Sequence, residues 1–82
     1  MDTQDQITRK VIAELRSVTG QKTIDLDLPL KDQGIDSITE LELIIELERT
    51  FNITVPDEKI KQLKTGRAVI DLIQTLLAFH VT

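Results

Sequence analysis

Ser37 is one of only two serines in the chain, Ser17 being the other, and it stands in the run Gly34-Ile35-Asp36-Ser37-Ile38. There a glycine-containing loop turns into an acidic helix rich in apolar residues. A serine works as a nucleophile only with a base in hydrogen-bond reach and donors for the developing oxyanion. The chain has no cysteine, no glycine-rich phosphate loop, and one histidine, His80, two residues from the end. A hydrolase built on Ser37 and His80 is therefore the weakest reading, since a histidine that follows a helix is more simply solvated or set against the helix dipole. Chemistry at Ser37 points instead to a hydroxyl that a second enzyme modifies. The competing role is structural. Ser37-Ile38-Thr39-Glu40 has the form of a capping box, in which the serine oxygen accepts from the amide three residues on and Glu40 reaches back. Asp36 is a second cap candidate, and its charge suits the positive end of a helix.

No other constellation competes with Ser37. Asp25, Asp27 and Asp32 lack the ladder and terminal glutamate of a calcium loop, so no metal site is expected. Without cysteine there is no disulfide framework, zinc site or thiol nucleophile, and any thiol chemistry must come from a cofactor.

The elements that must position Ser37 follow from apolar spacing. Ile7, Val11, Ile12, Leu15 and Val18 predict a first helix from Gln4 to Val18, with Thr3 and Gln6 as a capping box and Gly20 as its stop. A long connection from Thr19 to Asp36 follows. Within it Ile24, Leu26, Leu28 and Leu30 alternate with polar residues, a strand signature with no second strand to pair. It reads as an extended loop that buries alternate side chains against the helices. The second helix is predicted from Ser37 to Thr50. Leu43, Ile44, Leu47 and Phe51 share its core face, whereas Ile38, Leu41 and Ile45 fall on roughly the opposite side, among Glu42 and Glu48. A helix that buries one face has no structural need of that second stripe, which suits a transient docking surface edged by carboxylates. A short third helix is expected over Asp57 to Leu63, with Ile60 and Leu63 inward. The last runs from Gly66 to Phe79, burying Val69, Leu72, Ile73, Leu76 and Leu77. Residues 1–82 are expected to form one all-α domain, a small four-helix bundle with three main helices, one short third helix and a long loop between helices one and two.

Net charge is −4. Residues 34–58 hold seven acids against one base, Arg49, while the remainder holds seven acids against nine bases. Acidity centred on Ser37 and the helix behind it argues against nucleic acid and for basic protein surfaces. The polar start, Met1 to Gln6, is unlike a signal peptide, and no apolar run is long enough for membrane insertion. The expected protein is a cytoplasmic monomer.

The triplet Asp36-Ser37-Ile38, preceded by Gly34, resembles the attachment motif of acyl carrier proteins, in which a D-S-L triplet opens the second helix. The resemblance continues through Glu42-Leu43, Leu47-Glu48, Phe51, Ile53, Val55-Pro56-Asp57-Glu58 and Val69-Ile70-Asp71. It implies that Ser37 carries a covalent 4′-phosphopantetheine arm, derived from coenzyme A, with Asp36 as motif support. It further implies a non-catalytic carrier that is itself a substrate of other enzymes. A phosphopantetheinyl transferase would attach the arm. Acyl-loading, ketosynthase-type or acyltransferase partners of fatty-acid, polyketide or related biosynthesis would then exchange acyl thioesters with it. Ile38, Leu41, Glu42, Ile45 and Glu48 would form the docking face. The alternatives are an aminoacyl or peptidyl carrier, whose relatives typically show glycine or histidine where Ile35-Asp36 stands, and an unmodified interaction module that keeps the fold. Lys59, Lys61, Lys64 and Arg67 occupy a region more acidic in relatives, Arg49 interrupts the acidic helix, and Gly66 replaces a common valine. These departures point to a specialised pathway.

Overall fold

The computed structural model describes residues 3–80, and the side chains of Thr3, Phe79 and His80 lie outside the described residues. The expected Thr3 cap and any role of the His80 imidazole lie there with them. Four helices follow in order: α1 (Thr3–Thr19), α2 (Ser37–Phe51), α3 (Asp57–Ile60) and α4 (Gly66–His80), with a 3-10 turn over Leu30–Gln33 in the first connection. The all-helical bundle expected from the sequence is the observed fold, and no strand occurs among the described residues.

Helix α1 is the shared packing partner of α2 and α4. Its Ile7, Val11 and Leu15 repeat every four residues and are buried, which places them on one stripe of the helix. They meet Leu43, Ile44 and Leu47 of α2 and Val69, Ile70 and Ile73 of α4 in one aliphatic core. Phe51, Ile60, Leu72, Leu76 and Leu77 pack only partly against it. Helix α1 ends where the Gly20 amide donates to the Arg16 carbonyl at 2.8 Å and the Thr19 hydroxyl donates to the Leu15 carbonyl at 2.7 Å. At the other end of α2, Asn52 closes the helix in a left-handed conformation (φ 55°). The Glu48 carboxylate then accepts the Val55 amide at 2.8 Å, and Ile53 and Val55 turn back into the core.

The connection between α1 and α2 is more closely tied than the expected extended loop in two respects. Its alternating segment does find a backbone partner. Pro29 and Thr65 form an isolated antiparallel bridge, and the Leu30 amide donates to the Lys64 carbonyl at 2.9 Å. One pairing is all that a chain bounded by Pro29 and a helical turn can extend. The loop is also pinned from inside by Gln33, which is buried at 6 % exposure. Its Oε1 accepts from the Asp25 amide at 3.2 Å, and its Nε2 donates to the carbonyls of Asp25 at 2.9 Å and Leu28 at 3.1 Å. A buried primary amide persists because those groups meet its hydrogen-bonding demand and the loop backbone's at once. Leu30 is buried by this arrangement, whereas Leu28 stays exposed.

The third helix is shorter than expected. Beyond Ile60 the amides of Gln62 and Leu63 donate three residues back, to Lys59 and Ile60, so the chain tightens into turns that bring Leu63 into the core.

Candidate functional site

Each residue of Gly34-Ile35-Asp36-Ser37 has a separate task. Gly34 closes the 3-10 turn at φ 85°, in the left-handed region that a side chain resists. Ile35, whose amide donates to the Leu30 carbonyl at 3.1 Å, is buried and fixes the approach to α2. Asp36 is extended, and its Oδ1 accepts the Thr39 amide at 2.8 Å. Asp36 is therefore the N-cap, and Ser37 is the first residue of α2 rather than the cap that its own capping-box pattern suggested. The capping frame lies one residue earlier, with Thr39 in the third helical position. The charged acceptor wins because a carboxylate makes the stronger bond to an amide at the positive end of a helix. The Thr39 amide, and after it the Thr39 hydroxyl, hold the Asp36 carboxyl below the usual aspartate value of 3.8.

This shift of frame releases Ser37. It is exposed, and no hydrogen bond engages its hydroxyl among the described residues. A shallow groove of about 290 Å³ opens beside it. The buried side chains of Leu30, Ile35 and Leu63 line it together with Lys31, Asp36, Glu40 and Lys64. The other serine, Ser17, is also exposed but stands in the last turns of α1, between Arg16 and Val18, away from any helix start.

The second apolar stripe of α2 is open to solvent. Ile38 is 69 % exposed, and Leu41 and Ile45 are each 51 % exposed. Glu42 is exposed beside them, and with Ile45 and Glu46 it borders a shallow depression against Glu14, Ser17 and Val18 of α1. Arg49 pairs with Glu46 at 3.1 Å, so this base within the acidic helix is matched locally. Glu48 differs from Glu42. It is half-buried and holds the Val55 amide, which gives its carboxylate a structural task.

Sequence reasoning missed Gln33, Ile35 and the pair made by Arg67 and Asp27. The Arg67 guanidinium donates to both Asp27 oxygens, at 2.6 and 3.3 Å, and the Arg67 amide donates to the Leu26 carbonyl at 3.0 Å. Isoleucine between Gly34 and Asp36 was a readable signal for an anchor. Nothing in the identity of Gln33 distinguishes it from the exposed glutamines of the chain. Asp27, one of the three loop aspartates, is thus committed to an arginine, and Asp25 accepts the Asp27 amide at 2.9 Å. Among the described residues no three acidic or histidine side chains gather into a metal-binding group.

The fold and site define a small helical bundle that presents a free serine hydroxyl on the first turn of an acidic helix. A family model described as the phosphopantetheine attachment site matches residues 9–73. The chain is 31 % identical over 77 residues to an acyl carrier protein of Rickettsia bellii, covering 90 % of this chain and 95 % of that one. It is 35 % identical over 78 residues to an acyl carrier protein of Thermosynechococcus vestitus, covering 92 % and 96 %. Its fold matches the crystal structure of an acyl carrier protein from Thermotoga maritima with a TM-score of 0.76, at 24 % identity over 88 % of this chain and 92 % of that one. It also matches the solution structure of the acetyl actinorhodin acyl carrier protein from Streptomyces coelicolor with a TM-score of 0.74, at 29 % identity over 90 % and 93 %.

The chain belongs to the acyl carrier protein family. Its prosthetic group is a covalently attached 4′-phosphopantetheine, and proteins of this family work with phosphopantetheinyl transferases and acyl-handling enzymes. The residues present fit such a group: an exposed hydroxyl without a competing hydrogen bond, and beside it a groove with an apolar lining and two ammonium side chains.

Proposed function

We propose that Ser37 is the attachment residue, and that residues 1–82 act as a non-catalytic carrier domain for acyl intermediates of fatty-acid, polyketide or related biosynthesis. The observation that carries this reading is the division of labour at the start of α2. Asp36 takes the capping bond to Thr39, which leaves the Ser37 oxygen exposed and available. The arm, once attached, supplies a terminal thiol that holds acyl groups as thioesters. This chain's own residues supply position. Gly34 and Ile35 fix the approach to α2, Asp36 fixes the first turn, and Ser37 faces outward from a rigid element. Ile38, Leu41 and Ile45 with Glu42 form the face on which a transferase, and afterwards acyl-loading, ketosynthase-type or acyltransferase enzymes, dock weakly and leave. Glu48 supports that face through the Val55 amide. Activity as a monomer in the cytoplasm fits this reading. Among the described residues no helix is long and apolar enough to cross a membrane.

Intact mass after incubation with coenzyme A, magnesium and a broad-specificity transferase tests the assignment. One arm should be added to the wild type and none to Ser37→Ala. An adduct on Ser17, or on the Ser37→Ala protein, refutes it. An unmodified wild type would leave the chain an interaction module with a carrier fold.

A further inference from the structure

The groove beside Ser37 carries charge that the attachment function alone does not require. Asp36 and Glu40 line it from the start of α2, and Lys31 and Lys64 line it from other segments. The lysines come from distant parts of the chain, the 3-10 turn and the segment between α3 and α4. The backbone stitches those segments together at this point, through the Leu30 amide on the Lys64 carbonyl at 2.9 Å and the bridge of Pro29 with Thr65. Lys31 and Lys64 are thus held as a pair by tertiary structure. Both are exposed, and neither has an ion-pair partner among the described residues. Arg67, the next base along, is already occupied by Asp27.

A phosphodiester joined to the Ser37 oxygen brings a negative charge into a site that already holds two carboxylates. Asp36 and Glu40 repel it, and among the described residues the cations that line the groove are Lys31 and Lys64. The same groove is lined by Leu30, Ile35 and Leu63, an apolar surface suited to the methyl-bearing stem of a pantoyl group. We propose that Lys31 and Lys64 clamp the phosphodiester at the base of the arm, so that the resting arm lies in this groove, toward the 3-10 turn and Leu63, and leaves the Ile38–Leu41–Ile45 face of α2 clear for partners. The inference rests on Ser37 as the attachment residue. It adds a binding site for the anion and a direction for the arm.

The experiment separates the two. Intact mass first establishes that the wild type and a Lys31→Gln/Lys64→Gln variant each carry one arm at Ser37. Amide chemical shifts of the unmodified and modified proteins are then compared, together with the phosphorus resonance of the arm. In the wild type, attachment should shift Leu30, Lys31, Leu63 and Lys64 in addition to the residues around Ser37. In the double variant the shifts at those four positions should fall at least roughly twofold, and Lys31→Arg/Lys64→Arg should restore them, since exposed like charges exchange with little structural cost. Raising sodium chloride from about 0.1 to about 1 M should produce a similar fall in the wild type, because the screening length shortens from about 10 to about 3 Å. The salt arm needs no substitution, so it decides the matter even if a variant loads or folds poorly. Shifts confined to Asp36–Ile38, insensitive to salt and to the loss of both lysines, overturn the clamp while leaving the attachment intact. Absence of any arm on the wild type overturns both.

Discussion

Asp36 and Ser37 are adjacent, yet their substitution should have opposite effects. Ser37→Ala removes the hydroxyl proposed to carry the arm but no hydrogen bond of the fold, so thermal unfolding should stay within about 0.5 kcal/mol of wild type. Asp36→Ala leaves the hydroxyl and removes the cap, and should lower the melting temperature by on the order of 5 °C. The pH dependence has a definite sign. The Asp36 carboxyl is held below 3.8 by the Thr39 amide, and the Asp27 carboxyl by its hydrogen bond from Arg67. A carboxyl whose folded value is depressed adds stability above its unfolded value and loses it as pH falls through the lowered one. Melting temperature should therefore drop on acidification below pH 3.8. In Asp36→Asn, which keeps a capping oxygen, that drop should be smaller at an otherwise similar neutral-pH stability. Equal acid sensitivity in both proteins would show that the cap charge contributes nothing. Both carboxyls are solvent-exposed, so the effect belongs in degrees rather than in a large free energy.

At the scale of elements, α2 is read from two sides, and a pair of substitutions separates them. Leu47 is fully buried against α1 and the core, whereas Ile45 is half exposed. Leu47→Ala should cost about 2–5 kcal/mol, as truncations in a packed core do. Ile45→Ala should cost less than about 1 kcal/mol, with its main effect on the rate of arm attachment. Denaturant unfolding of the two variants measures this. Similar losses would make the outer stripe part of the core. The start of α4 offers a second measurement. A Cβ at Gly66 would stand 3.0 Å from Leu26 Cδ2 and 3.2 Å from Leu15 Cδ1. The loop crosses so closely there because the Arg67 amide bonds the Leu26 carbonyl. Gly66→Val should therefore destabilise by about 1–3 kcal/mol despite its better backbone entropy. A neutral or stabilising result would mean that the loop gives way.

Over the whole molecule, charge is divided between segments of the chain. The acids of α2 stand beside Ser37, and Lys59, Lys61, Lys64 and Arg67 lie in and after α3. Basic partners should be steered to the α2 face, so Glu42→Lys should slow arm attachment mainly through weaker encounter, and salt should slow the wild type as well. Glu42 is the cleaner probe than Glu48, since Glu48→Lys also releases the Val55 amide and should lose stability. Lys61→Glu, at the end of α3, should leave the transferase rate nearly unchanged while circular dichroism shows all variants helical. A loss at Lys61 equal to that at Glu42 would move recognition away from α2.

Periodicity and local chemistry alone determined much of this protein. The 3.6-residue repeat of Ile7, Val11 and Leu15, and of Leu43 and Leu47, marked helices and their inward faces, because a helix must bury its apolar stripe. The outward Ile38, Leu41 and Ile45 were legible for the same reason, as apolar residues that the stripe leaves over. The run from Gly34 to Ile38 marked the candidate site, but local chemistry alone allowed a helix cap equally well, and the resemblance that continues through Leu47-Glu48 and Val55-Pro56-Asp57-Glu58 pointed to attachment. Tertiary structure decided what no local pattern encodes. Asp36 and Ser37 were both competent caps in sequence, and the folded helix start gives the capping bond to the charged acceptor, Asp36. Gln33 became the pin of the loop only because folding brings Asp25 and Leu28 around it. Lys31 and Lys64 came to line one groove because the Leu30–Lys64 hydrogen bond and the Pro29–Thr65 bridge join segments more than thirty residues apart, and contacts at that separation depend on chain closure that no local pattern records.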